Sequence, residues 1–470
     1  RPWAYSGCPC CGPWFDGPPN ARLRPTRYRR SPLITPNPIA WLALLGWPFV
    51  VLVLYRRLPP DRALIWTILG AYLALPPVIA LNFPVIPDLS KESLPNLMAL
   101  SMALFVLKDR ISLLPDSLVG RVLIAIFVLS PFATVLTNAE PVAKGPALIQ
   151  GMRLYDSVAA VANQAIAVLP FFLARRYLAT PEAMRAILVA LVGAGLAYSI
   201  PMLIEMRLSP QMNVWIYGYF QHDFFQTIRA GGYRPVVFLP HGLWVAFFAL
   251  MAALSALILL RASPVERRAR MELATLWLML ILVLCKSMGV LVYAAGLVPL
   301  LMLAPRRVQV LLAAAAAALV LSYPLLRGAH LLPMSEITAF AERFSPERAG
   351  ACQFRVDNEE NLLARAELKP WFGWGGYGRN LIYDPITGAG QSIADGAWII
   401  TLGIYGWLGY LAQFGLLVLP LLLLARETLR QKVEVSPWVA GVSLILAANL
   451  VDLLPNATII PFTWLMAGAI

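Results

Sequence analysis

Apolar runs of about 20 residues follow one another from Pro38 to Ile470, and nothing else in the chain limits its fold as strongly. Each such run crosses a hydrocarbon layer as one helix, because a helix satisfies all of its own backbone polar groups. The runs lie near 38–55, 63–81, 94–107, 119–137, 157–174, 184–205, 241–260, 272–285, 288–304, 307–325, 396–424, 437–451 and 458–470. The expected fold is therefore all-α: a polytopic helical membrane protein with about 12–13 transmembrane helices. Composition agrees, with 59 % hydrophobic residues, 13 % charged ones and a mean hydropathy of +0.69. Soluble domains carry about 25 % charge.

In this class the net charge of +13 points to loop placement rather than to nucleic acid. Basic residues crowd the short loops 56–62, 108–121, 175–185, 261–270, 306–307 and 426–432, which fall on one side of the alternating spans. The opposite short loops hold only Lys91, Lys144, Arg153 and Lys286. The positive-inside rule makes the first side cytoplasmic and puts two longer loops, 206–240 and 326–395, outside. The Arg-rich start, Arg22 to Arg30, conflicts with this unless a further span precedes it or one early span is misread. Residues 1–36 show no apolar periodicity and begin at Arg1 rather than Met. They read as a disordered or non-native extension ahead of a single transmembrane domain, 37–470.

The stretch 271–304 would be about 51 Å long as one helix at 1.5 Å per residue, too long for one crossing. Basic residues at both ends, Arg270 and Arg306, also require an even number of crossings. Two short helices meeting at Cys285-Lys286-Ser287 satisfy both demands. Lys286 there either snorkels to the interface or binds an anion. Small residues at Ala313–Ala318 and at Gly403, Gly406 and Gly409 predict close helix packing. Cys8, Cys10, Cys11, Cys285 and Cys352 match no zinc spacing, and no disulfide is assigned.

Chemistry-bearing residues gather in the two long loops. Arg229 and Arg234 flank Ala-Gly-Gly-Tyr ahead of a span. The planar guanidinium suits phosphate, so the pair predicts a site for a lipid-linked phosphate or diphosphate; the plainer alternative is pairing with Asp223 or with headgroups. His241 stands where the next span begins, as a helix-end residue or a base. With His222 and His330 it makes no metal site.

In the loop 326–395, Asn358 to Lys369 has helical periodicity and ends at Pro370. Of its basic residues, Arg355 and Arg379 stand out because each flanks a structural break. Gly373-Trp-Gly375-Gly-Tyr-Gly378 matches G-x-G-x-x-G in letters only, since no βαβ unit surrounds it. It predicts a turn that lets backbone approach a ligand or a neighbouring span. Asp395 precedes the next apolar helix and reads as its N-cap, as a carboxylate able to take a proton from a sugar hydroxyl, or as both. The whole segment reads as a lid over an active site and part of its wall.

Three stretches carry a family resemblance: Arg229-Ala-Gly-Gly-Tyr-Arg234-Pro, Cys285-Lys286-Ser287-Met-Gly289, and Arg365 through Pro370-Trp-Phe-Gly-Trp-Gly375 with Asp395-Gly-Ala-Trp398 and Gly406-Trp-Leu-Gly409. In these the chain resembles the O-antigen ligase and O-antigen polymerase (Wzy-like) superfamily of bacterial envelope enzymes. Ligases of the family typically carry His where this chain has Asp395, followed by Gly396 instead of Asn, a departure that leans towards a polymerase. The resemblance implies transfer of a glycan from undecaprenyl diphosphate to a sugar hydroxyl, on the outer face of the bacterial inner membrane, without metal, ATP or nicotinamide. It implies Asp395 or His241 as base, and Arg229, Arg234, Lys286, Arg355 and Arg379 as holders of the diphosphate. Expected partners are a lipid-linked oligosaccharide, membrane lipids, and a flippase and chain-length regulator of the same pathway. The rival classes are a transporter or flippase of the same lipids and a structural scaffold. A transporter would spread charge through several spans and pair its broken helices.

Overall fold

One helix, Gly242–Arg261, is apolar on every side and is the one the others surround; 83 % of its membrane-length window is buried inside the protein. The computed structural model describes residues 35–82, 87–115, 117–229, 231–334, 336, 339, 346–430 and 434–470, with backbone alone at 346–349, 351 and 352. Arg22 to Arg30, Cys8, Cys10, Cys11 and Arg343 lie outside them, as does the side chain of Cys352.

In chain order the helices are α1 (Pro38–Arg57), α2 (Pro60–Ala74), α3 (Ser93–Ser101), α4 (Leu118–Leu136), α5 (Leu154–Ala167), α6 (Leu169–Tyr177), α7 (Pro181–Leu208) and α8 (Met212–Tyr217). The central Gly242–Arg261 is α9; then come α10 (Val265–Leu284), α11 (Met288–Leu303), α12 (Arg306–Gly328), α13 (Pro346–Glu367), α14 (Ala397–Arg430), α15 (Pro437–Asp452) and α16 (Pro461–Ala469). Among the described residues strands are confined to three small antiparallel hairpins, of which Val142–Lys144 with Ala147–Ile149 and Ile228–Arg229 with Gly232–Tyr233 matter below. The chain is thus an all-α polytopic helical membrane protein. Among the described residues seven helices are long and apolar enough to cross a membrane, counting α5 and α6 as one span.

Proline explains where helices fall short of the apolar runs. The run 63–81 stops as a helix at Ala74 because Pro76 and Pro77 follow. Pro170 breaks the run 157–174 at Val168, between α5 and α6. The turn expected at 285–287 is present: Cys285 caps α10, Lys286 takes a left-handed φ of 53°, and Ser287 starts α11. Around α9 pack α7, α10, α11 and α15, while α12 packs on both α14 and α15.

Helix α14 is not continuous. Gly406 has φ 66° and ψ −168°, so the ladder breaks inside the span. The glycine-rich turn after Pro370 enters that break. Trp374 and Gly375 donate to the carbonyls of Gly403 and Ile404 at 2.8 and 3.0 Å, and Trp407 and Leu408 donate to Pro370 and Trp371 at 2.7 and 3.3 Å. Four orphan groups of the broken helix are thereby satisfied by backbone. A Cβ at Gly373 or at Gly406 would run into the other segment's backbone. The G-x-G-x-x-G letters therefore mark backbone approach to a neighbouring span. Gly406, expected to pack against a helix, is instead the break itself.

Candidate functional site

The second half of the loop 326–395 is clasped rather than free. Thr134 and Asn138, at the end of α4, donate to the Phe372 and Gly373 carbonyls at 2.7 and 2.9 Å. Lys369 reaches back to Thr137 O, Asn138 Oδ1 and Glu140. Arg379 is fully buried and donates to Trp374 O, Gln150 O and Glu140 O at 3.0, 3.0 and 2.8 Å. Its guanidinium ties the hairpin 142–149 to the glycine turn and is used up in doing so. Arg379 therefore stands apart from the other arginines singled out in the sequence and holds structure.

Those others converge where the hairpin 228–233, the α10–α11 turn and the start of α9 meet. Lys286 Nζ donates to Arg229 O at 3.2 Å, and Arg234 Nη2 approaches Lys286 O at 3.4 Å. Gly232 makes room for the Lys286 ammonium, and Gly242 makes room for the Arg234 stem; a Cβ on either glycine would occupy the same space. Arg234 is 8 % exposed, and its Nε has no hydrogen-bond partner among the described residues. Burial pushes its pKa down to about 10, and the neighbouring Arg229 charge adds to the push. A buried cation beside a second cation is costly without a counter-ion, so the arrangement suits an anion.

His241 is the N-cap of α9, and its Nδ1 accepts from the Leu243 N–H at 2.9 Å. The lone pair of Nδ1 is thus engaged, and the neutral ring carries its proton on Nε2. His222 packs edge-on at 4.3 Å between ring centres. Burial, then His222, Arg234, Arg229 and Arg355, push the His241 pKa down to about 3. In this state the imidazole offers an N–H donor at Nε2 and is a poor proton acceptor.

Arg355, whose charge reaches His241, also acts on a group of carboxylates, Asp395, Glu359 and Asp452. Arg355, Asn358 and Glu359 share one face of α13, by helical spacing. Arg355 Nε lies 3.4 Å from Asp395 Oδ2, and Asn358 Oδ1 accepts from the Ile393 N–H at 2.9 Å. Burial pushes the Asp395 carboxyl above its ordinary pKa, with Arg355 pulling the other way. Helix α14 begins at Ala397, and the Ala397 N–H goes to Leu453 O and Asn456 O at 2.9 and 3.2 Å. Asp395 lies two residues ahead of that start and pairs with Arg355, so the N-cap alternative does not describe it.

Two further groups complete the wall. Arg327, 4 % exposed at the end of α12, donates to Val356 O at 3.1 Å and lies 3.8 and 3.9 Å from Glu359 and Glu360. Burial also raises the Glu359 carboxyl, against the pull of Arg327. Asp452, at the end of α15, accepts from Asn456 and Thr458 at 2.9 and 3.1 Å and lies within electrostatic reach of Arg355.

The sequence reading singled out neither Asp452 nor Arg327, nor Glu205 inside α7. An ionisable residue inside an apolar span is a functional candidate by default, and that rule would have marked Glu205 and Asp452. The structure brings together Arg229, Arg234, Lys286 and His241, sets Arg355 and Asp395 beside them, and leaves Arg379 out. The arrangement can hold an anion on one side and take up a proton on the other. No protein-family model matches the chain, and no curated protein is detectably similar to it.

Proposed function

We propose that this chain polymerises lipid-linked glycan repeat units in the bacterial inner membrane, on its outer face. The donor is a glycan on undecaprenyl diphosphate and the acceptor is a sugar hydroxyl. Arg229, Arg234 and Lys286 hold the diphosphate, and the His241 Nε2–H adds a donor to it. Asp395, oriented by Arg355, takes the proton of the attacking hydroxyl. The bond from the sugar to the diphosphate breaks as the new glycosidic bond forms, and the cations stabilise the charge growing on the leaving group.

One observation carries the reading: Arg234 is buried with an unpartnered Nε beside Arg229 and Lys286, and Arg355, whose charge reaches the neighbouring His241, pairs with the Asp395 carboxylate. Asp395-Gly396 in place of a His-containing motif favours polymerase over ligase. The break in α14 lends no support to a transporter, because loop backbone fills it instead of a substrate cavity. A flippase supplies the donor in this scheme, and a chain-length regulator works beside the enzyme. The test compares glycan lengths in membranes with and without the protein. Loss of long polymer with single repeat units kept supports polymerisation. Full-length polymer left unattached to its final acceptor points to a ligase, and repeat units trapped on the inner face point to a flippase.

A further inference from the structure

Between Arg234 and His241 runs a short buried strap, Val236 to Leu239, that is neither helix nor strand. Connecting segments usually run over a surface, where water satisfies their backbone. Here Val236, Val237 and Leu239 are fully buried, so each backbone group needs a partner from the protein.

Every one has it. Glu205 Oε2 accepts from the Val236 and Val237 N–H groups at 2.7 and 2.8 Å. The Tyr198 hydroxyl accepts from the Phe238 N–H at 3.1 Å. Gln221 Nε2 donates to the Val237 and Leu239 carbonyls at 2.9 and 3.0 Å, and Lys91 Nζ donates to the Phe238 carbonyl at 2.6 Å. The Leu239 N–H closes on the Val236 carbonyl at 3.0 Å. Lys91 also donates to Leu75 O at 2.8 Å, and Glu205 Oε1 accepts from the Met212 N–H at 2.9 Å, which tie the strap to the end of α2 and the start of α8.

Two features show that these contacts impose a conformation rather than follow one. Val237 has a φ of 52°, a region that a β-branched residue enters only when its surroundings force it. Lys91 and Glu205, buried to 8 and 1 % exposure, spend their charges on backbone rather than on each other. Removing either leaves buried peptide groups unsatisfied at a strained residue.

We infer that Lys91 and Glu205, with Tyr198 and Gln221, are positioning residues of the anion site: by fixing the strap they set Arg234 at one end and His241 at the other. The inference rests on the anion-site reading above. It adds that residues without contact to the anion decide its affinity. Arg234 is the sensitive element, because its stem crosses Gly242 with no spare room and its direction follows the strap.

The test measures binding of inorganic diphosphate to the purified full chain by tryptophan fluorescence, together with amide hydrogen exchange. Lys91→Met and Glu205→Gln remove one partner each, Arg234→Gln removes a direct contact, and Lys369→Met removes an equally engaged lysine of the remote clasp. Wild type binds; Arg234→Gln, Lys91→Met and Glu205→Gln each lose at least about tenfold in affinity, and Lys369→Met binds as wild type. Amides 236–239 exchange faster in Lys91→Met and Glu205→Gln while those of α9 keep their protection. Loss of affinity in Lys369→Met to the same extent would reduce the effect to general destabilisation and overturn the inference. So would wild-type affinity in folded Lys91→Met and Glu205→Gln. Absence of binding by wild type, with the strap protected, overturns the anion site itself and leaves the strap as structure only.

Discussion

Arg355 Nε lies 3.4 Å from Asp395 Oδ2, which joins the helix over the loop to the residue that leads into the broken span. Both side chains are partly exposed, at 47 and 29 %, so the pair is open to a substrate and contributes little to stability. In the proposed scheme it orients a carboxylate whose pKa burial has raised.

Asp395→Asn keeps the size and polarity of the side chain and removes its basicity. The protein inserts and melts as wild type, and polymer formation falls by about 10²–10⁴-fold, the usual worth of a placed general base. In wild type the base form is lost as pH falls through the raised pKa, so the acidic limb of activity lies above the ordinary Asp value of about 3.9. Asp395→Glu retains a limb; Asp395→Asn has none to show.

Gly406→Ala tests the break in α14. The residue has φ 66°, and a Cβ would meet the Trp371 carbonyl. Strain of this kind costs about 1–3 kcal/mol before the clash is counted. Thermal unfolding in detergent therefore falls by several degrees, whereas Gly193→Ala inside α7, where a Cβ meets nothing, leaves it unchanged or raises it. Equal melting of the two variants would argue that the helix closes without the turn.

Much of this was open to reading in the chain itself. Apolar runs found the spanning helices, though some ends moved by six or seven residues, as at Ala74, Val265 and Arg430, and Cys285-Lys286-Ser287 gave its turn away through length and flanking charge. The loops 206–240 and 326–395 carry Arg229, Arg234, Arg355 and Asp395, while Lys286 and His241 come from the ends of spans. What stayed hidden is the pairing of distant segments. Gly403, Gly406 and Gly409 have the spacing of a packing face, and nothing local says that Gly406 leaves the helix to receive the turn at 370–375. Arg379 resembles Arg355 in sequence context, but three carbonyls from two segments absorb its donors. The strap 236–239 reads as an ordinary apolar linker because its partners come from positions 91, 198, 205 and 221.

His241→Asn separates capping from donation. Asn caps helices as well as any residue, so α9 keeps its start. The Nε2–H is lost, and activity falls about tenfold or more, the scale of one hydrogen bond to a charged group. Stability responds to pH with a definite sign. The His241 pKa is about 3 in the fold and about 6.5 unfolded, so the unfolded chain binds the extra proton between those values. Wild type therefore loses stability as pH falls from 6.5 towards 3, by at most about 1.4 kcal/mol per pH unit. His241→Asn removes that slope; an unchanged slope would assign it to another group.

Gly242→Ala fills the space that the Arg234 stem occupies. Alanine at the first position of α9 does not harm the helix. Arg234 is displaced instead, and a shift of about 1 Å at a reacting group can cost 10²-fold in rate. Melting stays near wild type while polymer formation drops; normal activity would show that Arg234 need not lie where it does.

The most direct measurement places purified protein in vesicles with a chemically defined repeat unit on undecaprenyl diphosphate and reads product length on a gel. The account predicts a ladder of lengthened glycans still attached to lipid diphosphate, with free undecaprenyl diphosphate released for each unit added, and no ladder with Asp395→Asn or Arg234→Gln. Repeat units that stay single while crossing the vesicle membrane, or a ladder that Asp395→Asn makes as fast as wild type, would contradict it.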